Sequence, residues 1–158
     1  MMKNTTKHQK ISWVFFLLYL ALLVYFLFFA ESFGRTDPSR FGYAYNLVPF
    51  KEIMRFWIYR EKLGMYTVIL NIAGNIAAFM PFGFFLPIIN RRSKKWYNTI
   101  TISFCFSFCV ETIQLFFRVG SFDVDDMILN TTGAVFGYLL YQMVQKARIW
   151  RRQYAKRK

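Results

Sequence analysis

Residues 11–30 read ISWVFFLLYLALLVYFLFFA, twenty residues with no charge and one serine. As a helix rising about 1.5 Å per residue, this stretch is about 30 Å long, the hydrocarbon thickness of a bilayer. The rest of the chain agrees with that solvent. Of 158 residues, 56% are hydrophobic and 18% charged, with 20 Phe and 10 Tyr, against about 45–50% apolar and 25% charged in a soluble domain. A water-soluble globule and a disordered chain are excluded. So is a disulfide-stapled secreted module, because the two cysteines are Cys105 and Cys109 alone.

Three further segments can span. Residues 66–89 are apolar but interrupted by Asn71, Gly74, Asn75, Pro81, Gly83 and Pro87; residues 96–117 carry Glu111 and Gln114; residues 127–144 are nearly free of polar side chains after Asn130. Each is expected to be helical, because lipid offers no partner to an open backbone. The basic leader (Lys3, Lys7, Lys10) would suit a signal peptide, but the apolar run is longer than the usual 7–15 residues or so. The following FFAESFGR also lacks a clear small-x-small cleavage site, so the first segment is read as a retained helix. The expected fold class is all-α, an integral membrane bundle of four transmembrane helices (11–30, 66–89, 96–117, 127–144) plus one outer interfacial helix. This domain covers 11–145, between a leader at 1–10 and a basic tail at 146–158.

Fourteen of the 21 lysines and arginines fall in the leader, in Arg91–Lys95 and in the tail from Lys146 to Lys158. The seven in the alternate loops are matched by seven acids. The positive-inside bias then puts both termini in the cytoplasm. The net charge of +13 is a topology signal that also attracts anionic headgroups. It is not the footprint of a nucleic-acid binder, and no nucleic-acid partner is expected.

In the long loop after the first span, Phe33–Pro49 is rich in Gly, Pro, Tyr and Asn and is expected to be irregular. Phe50, Ile53, Met54, Trp57 and Ile58 then recur at helical spacing, with Lys51, Glu52, Arg55, Tyr59, Arg60 and Lys62 between them. Such a helix lies in the headgroup plane with its apolar side down, or packs on the outer end of the bundle. The pattern does not separate the two, since both bury the same stripe.

The residues costly to place in lipid carry the functional signal. Glu111 is the only acid inside a span; a carboxylate at a helix centre costs roughly 2.5–3.5 kcal/mol on insertion scales, and such groups usually face the bundle interior and mark function. Gln114 and Arg118 follow on the same face. Asp123, Asp125 and Asp126 open the fourth helix, where Asp126, Asn130, Gly133 and Gly137 share a face; Asn71 and Asn75 sit one turn apart in the second. One polar pocket, open to the outer leaflet, is expected from Asn71, Asn75, Glu111, Gln114, Arg118, Asp123, Asp125, Asp126 and Asn130. Each has a plainer role beside it: the aspartates as helix caps, Arg118 as a snorkelling residue, the asparagines as interhelical glue.

Gly133-x-x-x-Gly137 and Gly74-x-x-x-Ala78 would let helix backbones approach, and Pro81 should kink the second helix and free carbonyls near Ala77. Other chemistry finds no support. His8 stands alone in the leader, the cysteines lack a third or fourth ligand, and no phosphate loop or Ser-His-Asp set can be assembled. The four carboxylates suit a hard cation in ligand type, but their spacing matches no known loop, so no metal or cofactor is expected. A proton or ion pathway ranks last, because the inner halves of the spans show no polar groups.

Four motifs taken in order make a pattern: NLVPF at 46–50, NIAGNIAAFMPFG at 71–83, Glu111-x-x-Gln114, and Asp123-Val-Asp-Asp-x-x-x-Asn130-x-x-Gly133. Together they resemble the VanZ-like family from about Asn46 to Tyr138. The resemblance implies a small bacterial inner-membrane protein, with members linked to teicoplanin resistance and no established reaction. It also marks Asn46, Pro49, Phe50, Pro81, Gly83 and Gly133 as motif positions beside the polar ones. The leading expectation is a non-enzymatic protein whose pocket holds membrane lipid, a lipid-linked cell-wall precursor or the lipoglycopeptide itself, with Arg118 pairing a phosphate or carboxylate. The alternative is an intramembrane enzyme using the carboxylates, with or without a metal, on a lipid-linked envelope substrate. No catalytic residue can be named for it.

Overall fold

A computed structural model describes residues 7–29 and 45–156. The leader residues 1–6, most of the expected irregular loop (30–44) and residues 157–158 lie outside the described residues. Four long helices form the frame: α1 (Lys7–Phe29), α4 (Met65–Ile89), α5 (Trp96–Phe117) and α6 (Val124–Ala155). Two short ones, α2 (Lys51–Ile58) and α3 (Arg60–Leu63), lead into α4, and a 3₁₀ turn (Arg91–Lys94) joins α4 to α5.

The helices alternate in direction. At one end, which we call the basic end, Gln9 of α1 donates to the Ile88 carbonyl (3.4 Å) and the Tyr138 hydroxyl of α6 to the Lys94 carbonyl (2.7 Å). At the opposite, acidic end, Gln114 of α5 donates to the Leu27 carbonyl of α1 at 2.9 Å. The core is aromatic: Phe16 and Leu23 of α1 are buried with Phe79, Phe82 and Leu86 of α4, packed by Ile102 and Phe106 of α5. The rings of Phe82 and Phe106 stack 4.8 Å apart. Many of the other large side chains point outward. Phe15, Leu18, Leu22 and Phe26 of α1, Ile69 and Leu70 of α4 and Phe104 and Phe108 of α5 are all exposed, the pattern of a surface solvated by lipid.

Among the described helices, α1, α4 and α5 are long and apolar enough to cross a membrane. The architecture is thus all-α and of membrane type. The fourth expected span departs from the pattern. α6 is a single helix of 32 residues rather than 18, with Asp125 and Asp126 in its first turn and a string of basic residues from Lys146 onward.

α4 and α6 run side by side in the same sense, and glycine makes that possible. A Cβ at Gly83 would collide with the Ala134 backbone, one at Gly133 with Ile76, and one at Gly137 with Met80 and Phe84. Gly74 plays no such part: nothing among the described residues lies within 4 Å of its missing Cβ. The close approach expected at Gly74-x-x-x-Ala78 is therefore made one and a half turns beyond Ala78, at Gly83. α4 continues through Pro81 and Pro87. Pro81 has no N–H to give to the Ala77 carbonyl, and one residue on, the Ala78 carbonyl accepts from the Tyr19 hydroxyl of α1 at 2.6 Å.

Candidate functional site

The site begins where two irregular stretches of chain meet. Residues 45–46 (β1) pair in parallel with 122–123 (β2), placing Tyr45 opposite Phe122 and Asn46 opposite Asp123. This pairing brings the starts of α2 and α6 together. A helix start carries backbone N–H groups with no internal partner, and in an apolar medium each must be satisfied by the protein. The carboxylates do this. Asp123 caps α6, accepting from the Asp125 N–H at 2.8 Å and from the Asn46 side-chain amide at 3.1 Å. Its own N–H donates to Glu111 at 3.0 Å. Asp125 reaches across to the start of α2, accepting from the N–H groups of Phe50, of Glu52 (2.7 Å) and of Ile53 (3.1 Å). Phe50, the residue before α2, takes a left-handed backbone (φ 64°) to present its N–H. Anionic acceptors suit two helix N-termini, where the dipoles are positive.

The remaining predicted residues take up other stations. Asn75 of α4 donates to Asp126 of α6 at 2.7 Å. Asn130, one turn further along α6, donates to the Ser107 hydroxyl of α5 at 2.9 Å, while its own side-chain oxygen is buried with no hydrogen-bond partner among the described residues. Gln114 docks α1 as described above. Asn71 donates to the Thr67 carbonyl of its own helix at 2.9 Å. Arg118 ends α5 in a left-handed conformation (φ 56°), so the face shared with Glu111 and Gln114 stops at Phe117 and the arginine is exposed. The expected set therefore divides. Glu111, Asp123 and Asp125, with Asn46, form one buried network; Asn75 and Asp126 form a pair beside it; Asn71 and Arg118 lie toward the acidic end.

Helix rise shows how deep these groups sit. Asn75 lies 14 residues from Ile89 and Glu111 lies 15 from Trp96, so each is about 21–23 Å from the basic end, and Asp126 shares the level of Asn75 through their hydrogen bond. They form one layer, about 8 Å short of a 30 Å hydrocarbon thickness. α4 continues ten residues above Asn75, and α5 six above Glu111.

One feature escaped the sequence reading. Thr99, Ser103 and Ser107 lie four residues apart on α5 and are wholly buried. The half of the bundle toward the basic end is thus not free of polar groups. Thr99 donates to the Ser93 carbonyl (2.7 Å) and Ser103 to the Thr99 carbonyl (2.8 Å). Hydroxyls bound to backbone cost little in an apolar interior, and small side chains let α5 approach α6. The four-residue spacing was legible, but serine and threonine barely perturb a hydropathy profile.

Chemically the layer offers acceptors and amides. Among the described residues, no group of three or more His, Cys, Asp or Glu is arranged to hold a metal ion, and none of the described hydrogen bonds joins a nucleophile to a base.

Comparison with known proteins adds a family. The family model described as VanZ/LLP1 matches residues 16–145. Protein VanZ of Enterococcus faecium is 29% identical over 132 residues, covering 82% of this chain and 72% of its own length. No solved structure matches.

Proposed function

The chain belongs to the VanZ/LLP1 family, and from that premise we propose that it is a four-span protein of the bacterial cytoplasmic membrane with a binding site facing the outer leaflet. In this reading α6 is the fourth span, the basic end with both termini faces the cytoplasm, and the carboxylate layer lies in the outer half of the bilayer. The site takes the polar part of a lipid-linked cell-wall precursor, or of a teicoplanin-type lipoglycopeptide, and lowers productive capture of the drug. Asn71, Asn75 and Asp126 meet hydroxyl, amide or amine groups, and Arg118 meets a phosphate or carboxylate.

The observation that carries the proposal is the Asn75–Asp126 pair. It bridges two helices at a depth where an acid is costly, while the neighbouring carboxylates are engaged with backbone. That engagement also favours binding over catalysis. Asp125 accepts three N–H groups and Asp123 holds two donors, which leaves them ill-suited to activating a nucleophile.

The test is susceptibility to teicoplanin beside vancomycin, in a sensitive Gram-positive host at matched membrane levels. Wild type should protect against teicoplanin. Asp126→Asn and Arg118→Ala should return the host to its baseline, and Glu111→Gln should weaken protection by loosening the turn at Asp123. Equal protection by all three variants sinks the site; no protection by wild type sinks the link to the drug.

A further inference from the structure

We propose that α2 is a re-entrant helix of the outer leaflet: Asp125 pins its start at the depth of the carboxylate layer, and it climbs outward with one side against lipid acyl chains. It does not lie flat in the headgroup plane. The inference stands whatever the site binds and rests on the proposed reading of α4, α5 and α6 as spans with the acidic end outward.

Three observations carry it. The first is depth. The Phe50, Glu52 and Ile53 N–H groups bond Asp125, whose neighbour Asp126 bonds Asn75. Asn75 is ten residues below the start of α4 at Met65, about 15 Å of helix. The chain from Phe50 must regain that height before Met65. α3 has four residues, about 6 Å, so most of the climb falls to the eight residues of α2.

The second observation is the face that α2 leaves uncovered. Phe50, Met54, Trp57 and Ile58 are 55%, 59%, 60% and 62% exposed, whereas Glu52, Ile53 and Phe56 of α2 are half-buried. An exposed stripe of this composition is stable only against an apolar solvent. It is continuous along the chain with the exposed Met65, Tyr66, Ile69 and Leu70 of α4, so the acyl chains that cover α4 cover α2 as well.

The third is the separation of charge. Lys51, Arg55 and Tyr59 lie four residues apart on a different exposed side, with Arg55 paired to Glu52 at 2.5 Å. On a climbing helix these side chains reach upward to the headgroups or face the water over the site. On a helix lying flat at the depth of Asp125 they would be held in hydrocarbon.

The experiment is a depth profile. With Cys105 and Cys109, both exposed, replaced by serine, single cysteines at Phe50, Met54 or Trp57 carry a spin label. The full-length protein is reconstituted in phosphatidylcholine–phosphatidylglycerol vesicles, and depth is read from collisions with oxygen against a water-soluble nickel chelate. The three positions are exposed, so labels attach without repacking. The expected result is a gradient with Phe50 deepest and Trp57 shallowest, about 10 Å apart at helical rise. Three labels at one depth, or three labels in water, overturn the proposal. In the second arm Asp125→Ala should raise the Phe50 label toward the headgroups and Asp125→Asn should raise it less. If the label keeps its depth in both, Asp125 is not the pin. Should Asp125→Ala fail to fold, the wild-type gradient and Asp125→Asn decide the matter.

Discussion

At Gly83, Gly133 and Gly137 a single hydrogen atom stands where any other side chain would strike the backbone of the facing helix. Alanine at any of the three forces α4 and α6 apart, and overpacking of this kind costs about 1–3 kcal/mol. Thermal unfolding in detergent should show the loss, whereas Gly74→Ala should leave stability within about 0.5 kcal/mol or raise it slightly. Equal tolerance at Gly74 and Gly133 would contradict the packing. The glycine spacing in α6 was legible in the sequence, but its partner was not: Gly74 and Gly83 look alike in one dimension, and only the crossing point of two helices tells them apart. The same holds for the acids. Asp126 and Asn130 were assignable to one face, yet nothing in their spacing names Asn75 and Ser107 as their separate partners.

Among the elements, α6 is the most consequential. Its start is held by Asp123, which also fastens the chain ahead of α2 through Asn46. Asp123→Ala removes a helix cap, worth about 0.5–2 kcal/mol, and detaches Asn46 as well. Asn46→Ala removes that second bond and the one Asn46 accepts from the Val48 N–H at 3.3 Å, so combined with Asp123→Ala its loss should fall short of additive by the shared bond. Such a double-mutant cycle reads the coupling directly; fully additive losses would mean that the two residues do not share the contact. α2 was legible as an amphipathic helix from its stripe. Its inclination was not, because the acceptor for its first amides lies about 75 residues away.

For the whole molecule, the alternating helices put Gln9 and Tyr138 at the basic end and Gln114 at the acidic end. If that end faces the cytoplasm, as proposed, a single cysteine at Lys10 or Trp150 should be closed to a membrane-impermeant thiol reagent in intact cells and open after lysis. One at Lys62 should react in both. The reverse pattern would invert the site to the inner leaflet and end its proposed access to an extracellular drug.

The solvent, the helical class, the approximate limits of α4 and α5 and the polar faces were set by composition and period alone, because a bilayer demands apolar runs of fixed length. So was the pattern of basic loops on which the orientation rests. Tertiary structure decided which acid meets which amide, which glycine meets which backbone, and that Glu111, Asp123 and Asp125 hold two helix starts together. Those partners lie far apart along the chain, and a backbone amide that needs an acceptor in an apolar interior leaves no trace in the identity of its own residue.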